Sequence, residues 1–189
     1  VFNLESDQEN AFGEADLRLL TTFADQAAIS IVNARLHVEA VEKRRLEEQL
    51  RVARHIQIAL LPRRRPEIAG HVLAGWNVPS EGVGGDYFDF VPLDGRRWAI
   101  VIADVSGNGI PASLIMAGFR ADLRAELRRV DDPRIVLSRV NDVLSNELEP
   151  DYFVTAFLGI YTPETGALVY ASAGHEPGLL LRKGGSIER

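Results

Sequence analysis

An α+β domain with antiparallel sheets, carried behind one long helix, is the fold class that this sequence predicts. Three observations lead there. Between residues 14 and 61 neither glycine nor proline interrupts the chain, whereas a globular helix averages about 11–12 residues. From His71 onward, apolar runs of strand length alternate with turns rich in Gly, Pro and Asp. These runs come in two groups with a block of helical pattern between them, the order expected of a layered α+β domain.

Composition narrows the class further. The 189 residues suffice for one large domain, or one domain with an extension. A hydrophobic fraction of 46% is ordinary for a globular chain. The net charge of -6, from 27 acidic and 21 basic residues, gives no nucleic-acid footprint. The tight basic cluster Arg63-Arg64-Arg65 reads as a solvated linker before it reads as a docking patch. With no cysteine there is neither a disulfide framework nor thiolate catalysis. That fits a reducing compartment, and a cytoplasmic location is expected. No apolar run approaches the roughly 20 residues of a membrane span, so no membrane association is expected. The opening VFNLESDQENAF lacks the basic-then-apolar pattern of a signal peptide. Both ends read as cut from a longer protein.

Taken in order, residues 1–4 suggest a strand remnant, and residues 6–13 are polar and turn-rich. Leu17, Leu20, Phe23, Ala24, Ala27, Ala28 and Ile31 then recur at spacings of three and four, one face of a helix. The helical pattern continues to Pro62, which disfavours helical geometry in the residue before it. A heptad register places Val32, Leu36, Leu46, Leu50, Ala53 and Leu60 at core positions. The same register puts Glu39, Lys43 and Gln57 there. Such a helix either pairs with its copy in a dimeric coiled coil or packs on its own domains.

HVLAGWNV is expected as the first strand, with DYFDFVPL and RWAIVIADV following as a hairpin. A helix starts near Pro111, a residue suited to a first turn. A second helix follows Asp132-Pro133, with Asp132 as its N-cap. DYFVTAFLGIYT and ALVYASAG form two strands about a Pro163-Glu164-Thr165-Gly166 turn, and GLLLRK begins another.

The hairpin carries the chemistry. Asp86 opens its first strand and Asp104 closes its second, with Gly95 midway between them. A three-residue loop with Gly95 in the left-handed region sets Asp86 opposite Asp104, or one pair diagonal to it. A two-residue Asp-Gly turn would send the two carboxylates to opposite faces. The odd loop is the expectation. It also places Phe88, Phe90, Ile100 and Ile102 on the carboxylate face, where the apolar core is expected, and it sends Asp89 to the other face as a structural residue.

Two facing carboxylates raise each other's pKa, and a divalent cation relieves them. Hard oxygen ligands favour Mg²⁺ or Mn²⁺. Gly82, Gly84, Gly85, Gly107 and Gly109 let backbone approach such an ion closely. Asn108 is a candidate cap for the next helix, whose N-terminus suits a phosphate. The plainer alternative is a hairpin with two exposed aspartates and ordinary turn glycines. His175, in SAGHEPG, is either a phosphate contact or an exposed loop residue. Ser106 lacks an identifiable histidine–acid partner, which argues against a serine hydrolase. GVGGD lacks the Lys-Ser/Thr ending of a P-loop.

GVGGDYFD, DVSGNG, FVTAFLGIY and ASAGHEP resemble, in order, the motifs of the SpoIIE/RsbU-like branch of the PPM phosphatases, the phosphatase 2C class. IQIALLP resembles the stretch preceding that catalytic domain, and FGEADLRLLTTFADQAAISIVNARL resembles the last helix of a GAF sensor domain. The resemblance implies residues 1–36 as a GAF-like remnant, 37–62 as a linker helix, and 63–189 as the N-terminal part of a phosphatase domain. The implied fold is a β-sandwich with helices on its outer faces, incomplete at the C-terminus here.

It implies two Mn²⁺ or Mg²⁺ ions, with Asp86, Asp104 and the Val105 carbonyl as ligands. Gly85, Gly107, Asn108, Gly109 and His175 are candidates for contacting phosphate. The implied reaction is hydrolysis of phosphoserine or phosphothreonine by a metal-bound water, with no side-chain nucleophile. The implied substrate is a phosphorylated anti-anti-sigma protein of the STAS fold. The implied partners are an upstream sensor domain and a second copy of the chain. Many members of the family that this sequence resembles carry histidine or lysine where Asn108 stands. The family's later T-D-G and D-D aspartates do not occur in this sequence, so the stretch alone is expected to be poorly active, with an exposed sheet edge. A phosphatase-like module that binds a partner without catalysis is the alternative.

Overall fold

The computed structural model describes residue 3, residues 5–78 and residues 82–188. Apart from Asn3, the strand expected over residues 1–4 falls outside them. The chain divides into two units, Val1–Gln49 and Leu50–Arg189.

Helix α1 (Glu14–Leu60) begins in the first unit and ends in the second. Its start is fixed locally: the Asp16 carboxylate accepts from the Gly13 N–H at 2.9 Å. Glu14 and Asp16 also set negative charge against the positive end of the helix dipole. The helix stops just before Pro62, as expected. Leu17, Phe23 and Ile31, on the predicted apolar face, are each more than half exposed. No helix of the described residues is long and apolar enough to cross a membrane.

The second unit is built on a four-stranded antiparallel sheet, in the order β3 (Tyr87–Pro92), β4 (Trp98–Val105), β5 (Val154–Thr162), β6 (Ala167–Ala173). Before it, β1 (Glu67–Ile68) and β2 (His71–Val72) form a small ribbon; after it, β7 (Leu180–Leu181) and β8 (Ile187–Glu188) form another. The strand expected over HVLAGWNV is therefore confined to His71 and Val72. Beyond them the chain passes close to the hairpin at Gly75: a Cβ there would fall 2.5 Å from the Phe88 ring.

The β3–β4 register runs from Tyr87↔Ala103 to Pro92↔Trp98. Leu93 N–H then donates to the Arg97 carbonyl at 3.0 Å, which leaves Asp94, Gly95 and Arg96 as the loop. Gly95 has φ +77°, the left-handed value that favours glycine. Asp94 accepts from the backbone N–H groups of Arg96 and Arg97. The odd loop expected from the sequence is the one that forms.

The core is on the other face from the one expected. Tyr87, Ala99, Val101, Ala103 and Val105 are buried against α2 (Gly109–Leu127) and α3 (Pro133–Glu147). Phe88, Phe90, Ile100 and Ile102 face away from those helices and are less buried. The reason is that β4 is apolar on both faces, the pattern of a strand covered on both sides, so alternation cannot say which face takes the helices. Ala99, Ala103 and Ala156 are among the buried residues of the face that takes the helices.

Helix α2 buries Ala112, Met116, Phe119, Leu123 and Leu127, a stripe at helical spacing. Helix α3 buries Val136, Leu137 and Val140. Its N-cap is Asp132, whose carboxylate accepts from Arg134 N–H at 2.9 Å, with Pro133 following it. Truncating a fully buried residue such as Leu123 to alanine costs about 2–5 kcal/mol. Asp89, also on the core face, is 1% exposed. It accepts from Tyr87 Oη, from Phe90 N–H at 2.9 Å and from Arg124 Nε at 2.7 Å, so it ties β3 to α2.

A candidate metal centre at the open end of the hairpin

Continuing the β3–β4 register one step beyond Tyr87↔Ala103 sets Asp86 opposite Asp104. Their carboxylates are near enough to act on each other electrostatically. Partial burial, and then the adjacent Asp86 charge, hold the Asp104 carboxyl above the usual carboxylate range; His175 acts in the opposite direction. This is the electrostatic condition that a cation relieves.

Backbone geometry around the pair is tight. A Cβ on Gly85 would lie 2.6 Å from the Val105 carbonyl oxygen and 2.9 Å from Val105 Cβ. Glycine at 85 is thus what lets the two strands close without a side chain of residue 85 meeting the Val105 oxygen. Gly84 is held through both of its backbone groups by one side chain: its N–H donates to Gln57 Oε1 at 3.2 Å, and its carbonyl accepts from Gln57 Nε2. Asn77 Nδ2 donates to the Asp86 carbonyl at 3.0 Å.

On the other loop, Gly107 and Gly109 have φ +89° and +68°, so both turns use the left-handed region. Asn108 occupies the N-cap position of α2 but makes no side-chain cap hydrogen bond. The Ser106 hydroxyl accepts from Phe153 N–H at 3.0 Å, and Ser106 N–H donates to the Phe153 carbonyl at 2.9 Å. Ser106 therefore closes the β4–β5 end.

Thr155 lies opposite Asp104 on β5. Its hydroxyl is 2.9 Å from His175 Nδ1, which brings the histidine to the same end of the sheet as the carboxylates. Asn77, Asp86, Phe88, Ile102 and His175 line a cleft of about 420 Å³.

Two carboxylates and a carbonyl are hard oxygen donors, suited to Mg²⁺ or Mn²⁺. Among the described residues, no group of three or more His, Cys, Asp or Glu forms a metal-holding cluster. The donor set fits one side of the shell of a cation that keeps several waters, as Mg²⁺ does. Asp86, Asp104, Val105, Gly85 and His175 are thus brought to one end of the sheet, with Gly107, Asn108 and Gly109 in the loop leaving β4. Sequence reasoning missed Gln57, Asn77 and Thr155 as their supports. Only Gln57 carried a signal, as an uncharged polar residue at a heptad core position.

Comparison with known proteins places this geometry in context. The family model for SpoIIE, stage II sporulation protein E, matches residues 94–189, just over half of the chain. Phosphoserine phosphatase RsbU of Bacillus subtilis is 32% identical over 133 residues, covering 70% of this chain and 39% of that one. Phosphoserine phosphatase RsbP of the same organism is 26% identical over 108 residues, 55% of this chain and 27% of that one. The chain thus spans well under half the length of either relative. The solved SiaA-PP2C domain of Pseudomonas aeruginosa matches with a TM-score of 0.57 at 20% identity, over 69% of this chain and 55% of that one. That likeness is one of fold: the second unit has the antiparallel sheet and helices of a PP2C domain.

Proposed function

The chain belongs to the SpoIIE family, and from that membership we propose that it is a metal-dependent protein phosphatase acting on phosphoserine or phosphothreonine. The observation that carries this reading is the convergence of Asp86 and Asp104 at the open end of the β3–β4 hairpin. Asp86, Asp104 and the Val105 carbonyl would hold a divalent cation, Mn²⁺ or Mg²⁺, one of the two such ions expected for this family. A bound ion supplies charge neutralisation and a more acidic water. No side chain is required as nucleophile.

This chain's own residues do the rest by position. Gly85 sets no side chain against the Val105 oxygen. His175, steadied by Thr155, stands at the same end of the sheet as Asp104, where its ring can meet a phosphate oxygen. The backbone of Gly107, Asn108 and Gly109 leads into α2 with no side chain capping the first turn, so those N–H groups suit the phosphate.

The substrate proposed is a small phosphorylated anti-anti-sigma protein of the STAS fold; two relatives are named phosphoserine phosphatases. Residues 1–36 are read as the end of a GAF-like sensor domain, 37–62 as the linker helix and 63–189 as phosphatase. The protein works in the cytoplasm as a dimer through α1. Val32, Leu36 and Leu46, at heptad core positions, are each more than half exposed, as the seam of a helix pair would be before its partner is added.

The test offers the full-length protein phosphoserine, phosphothreonine and phosphotyrosine proteins with Mn²⁺, and measures phosphate release and binding separately. Release from the first two, and not from phosphotyrosine, is expected. Binding without release would instead establish a phosphatase-like interaction module.

A further inference from the structure

Gln57 is the one residue that α1 buries among those described, at 5% exposure. Buried polar side chains take partners, but this one does so in a particular way. Both ends of its carboxamide go to the same residue, Gly84, on a loop 27 positions away in sequence. The side chain thereby supplies what a neighbouring strand would: a donor and an acceptor to one residue's backbone.

The tripeptide that receives this bond pair is Gly84-Gly85-Asp86. Two of its three residues have no side chain by which to be held. Each is nonetheless fixed from outside: Gly84 by Gln57, Gly85 by its fit against Val105, and the Asp86 carbonyl by Asn77. Of these supports, Gln57 alone comes from α1, and it holds both backbone groups of its residue. Without it, a half-buried N–H and C=O would lose their partners, which is costly for buried backbone groups, and a glycine pair would relax to escape that cost.

We infer that Gln57 is a positioning residue for the metal centre: it clamps Gly84 so that the Asp86 carboxylate is presented to the cation beside Asp104. This rests on the reading of the site given under Proposed function. Supports of this kind, which orient a ligand without touching the metal, typically change metal affinity by about 10–100-fold when removed.

The experiment compares the full-length wild type with Gln57→Met, which keeps length and helix preference but has no amide, and with Gln57→Asn, which keeps the amide but is one methylene short. Mn²⁺ affinity is read from free Mn²⁺ by electron paramagnetic resonance, and backbone hydrogen exchange is followed at Gly84 and along β4. Expected is about 10–100-fold weaker Mn²⁺ binding in both variants, with faster exchange at Gly84 and unchanged exchange across β4. Wild-type affinity in either variant would overturn the inference. So would a loss matched by faster exchange throughout β4, since that marks a general loss of stability. Should Gln57→Met fail to fold, Gln57→Asn carries the test by the same two readouts. A wild type that binds no Mn²⁺ would remove the metal reading itself, and is seen without any variant.

Discussion

Asp89 and Asp104 sit on the same hairpin and do opposite things. Asp89 is buried and compensated, with Arg124, Tyr87 and a backbone N–H on its oxygens. Burial, and next the Asp89 charge, push the Tyr87 phenol well above its usual range, so the phenol stays a proton donor to Asp89. Asp104 faces Asp86, and a like charge is no compensation. The first arrangement stabilises a fold; the second suits a cation.

Removing one partner of a buried pair exposes the difference. Arg124→Met leaves the Asp89 carboxylate without its cation, and we expect a loss on the order of 3 kcal/mol. That is the low end for such a pair, because Arg124 is partly exposed and Tyr87 remains. For a chain of this size the loss lowers the midpoint by roughly 6–12 °C. Thermal unfolding followed by circular dichroism checks it; an unchanged midpoint would show that Asp89 is not held by Arg124.

At the scale of elements, what could be read from sequence depended on whether the cause was local. The hairpin register was legible because Leu93-Asp94-Gly95-Arg96 contains its own turn chemistry, a left-handed glycine behind an aspartate that accepts from the next backbone N–H groups. The core face was not, because β4 offers apolar side chains on both sides. The clamp on Gly84 was not either, since its donor lies in another element.

The cap of α3 was legible, and it sets a pH dependence. The Arg134 side chain, and then its backbone N–H, hold the Asp132 carboxyl down at about 2. A carboxyl whose folded pKa lies below its unfolded value of 3.8 stabilises the fold above that value and loses the contribution as pH falls towards about 2. Asp132→Ala is therefore expected to unfold at a lower temperature than wild type at pH 6. The gap should narrow between about pH 4 and pH 2. A gap constant across that range would deny the cap its charge.

Helix α1 carries a prediction of its own. If its exposed heptad positions form a seam, Leu46→Asp places a charge in that seam and should shift the sedimentation coefficient from dimer to monomer. A wild type that sediments as a monomer at micromolar concentration would remove the seam.

For the whole molecule, the α+β class followed from the order of apolar runs, and the PP2C likeness fits it. The pair of carboxylates was legible because both are close in sequence to one turn. Thr155 and His175 were harder, since β5 and β6 bring them in from later in the chain. The central claim is that Asp86 and Asp104 act together through a metal.

Its most direct test is a Mn²⁺ titration of phosphate release from a phosphoserine protein by the full-length wild type and by Asp104→Asn. A saturable, chelator-reversible rate in the wild type that falls to background in Asp104→Asn is the predicted result. Equal rates for the two, at every Mn²⁺ concentration, would contradict it.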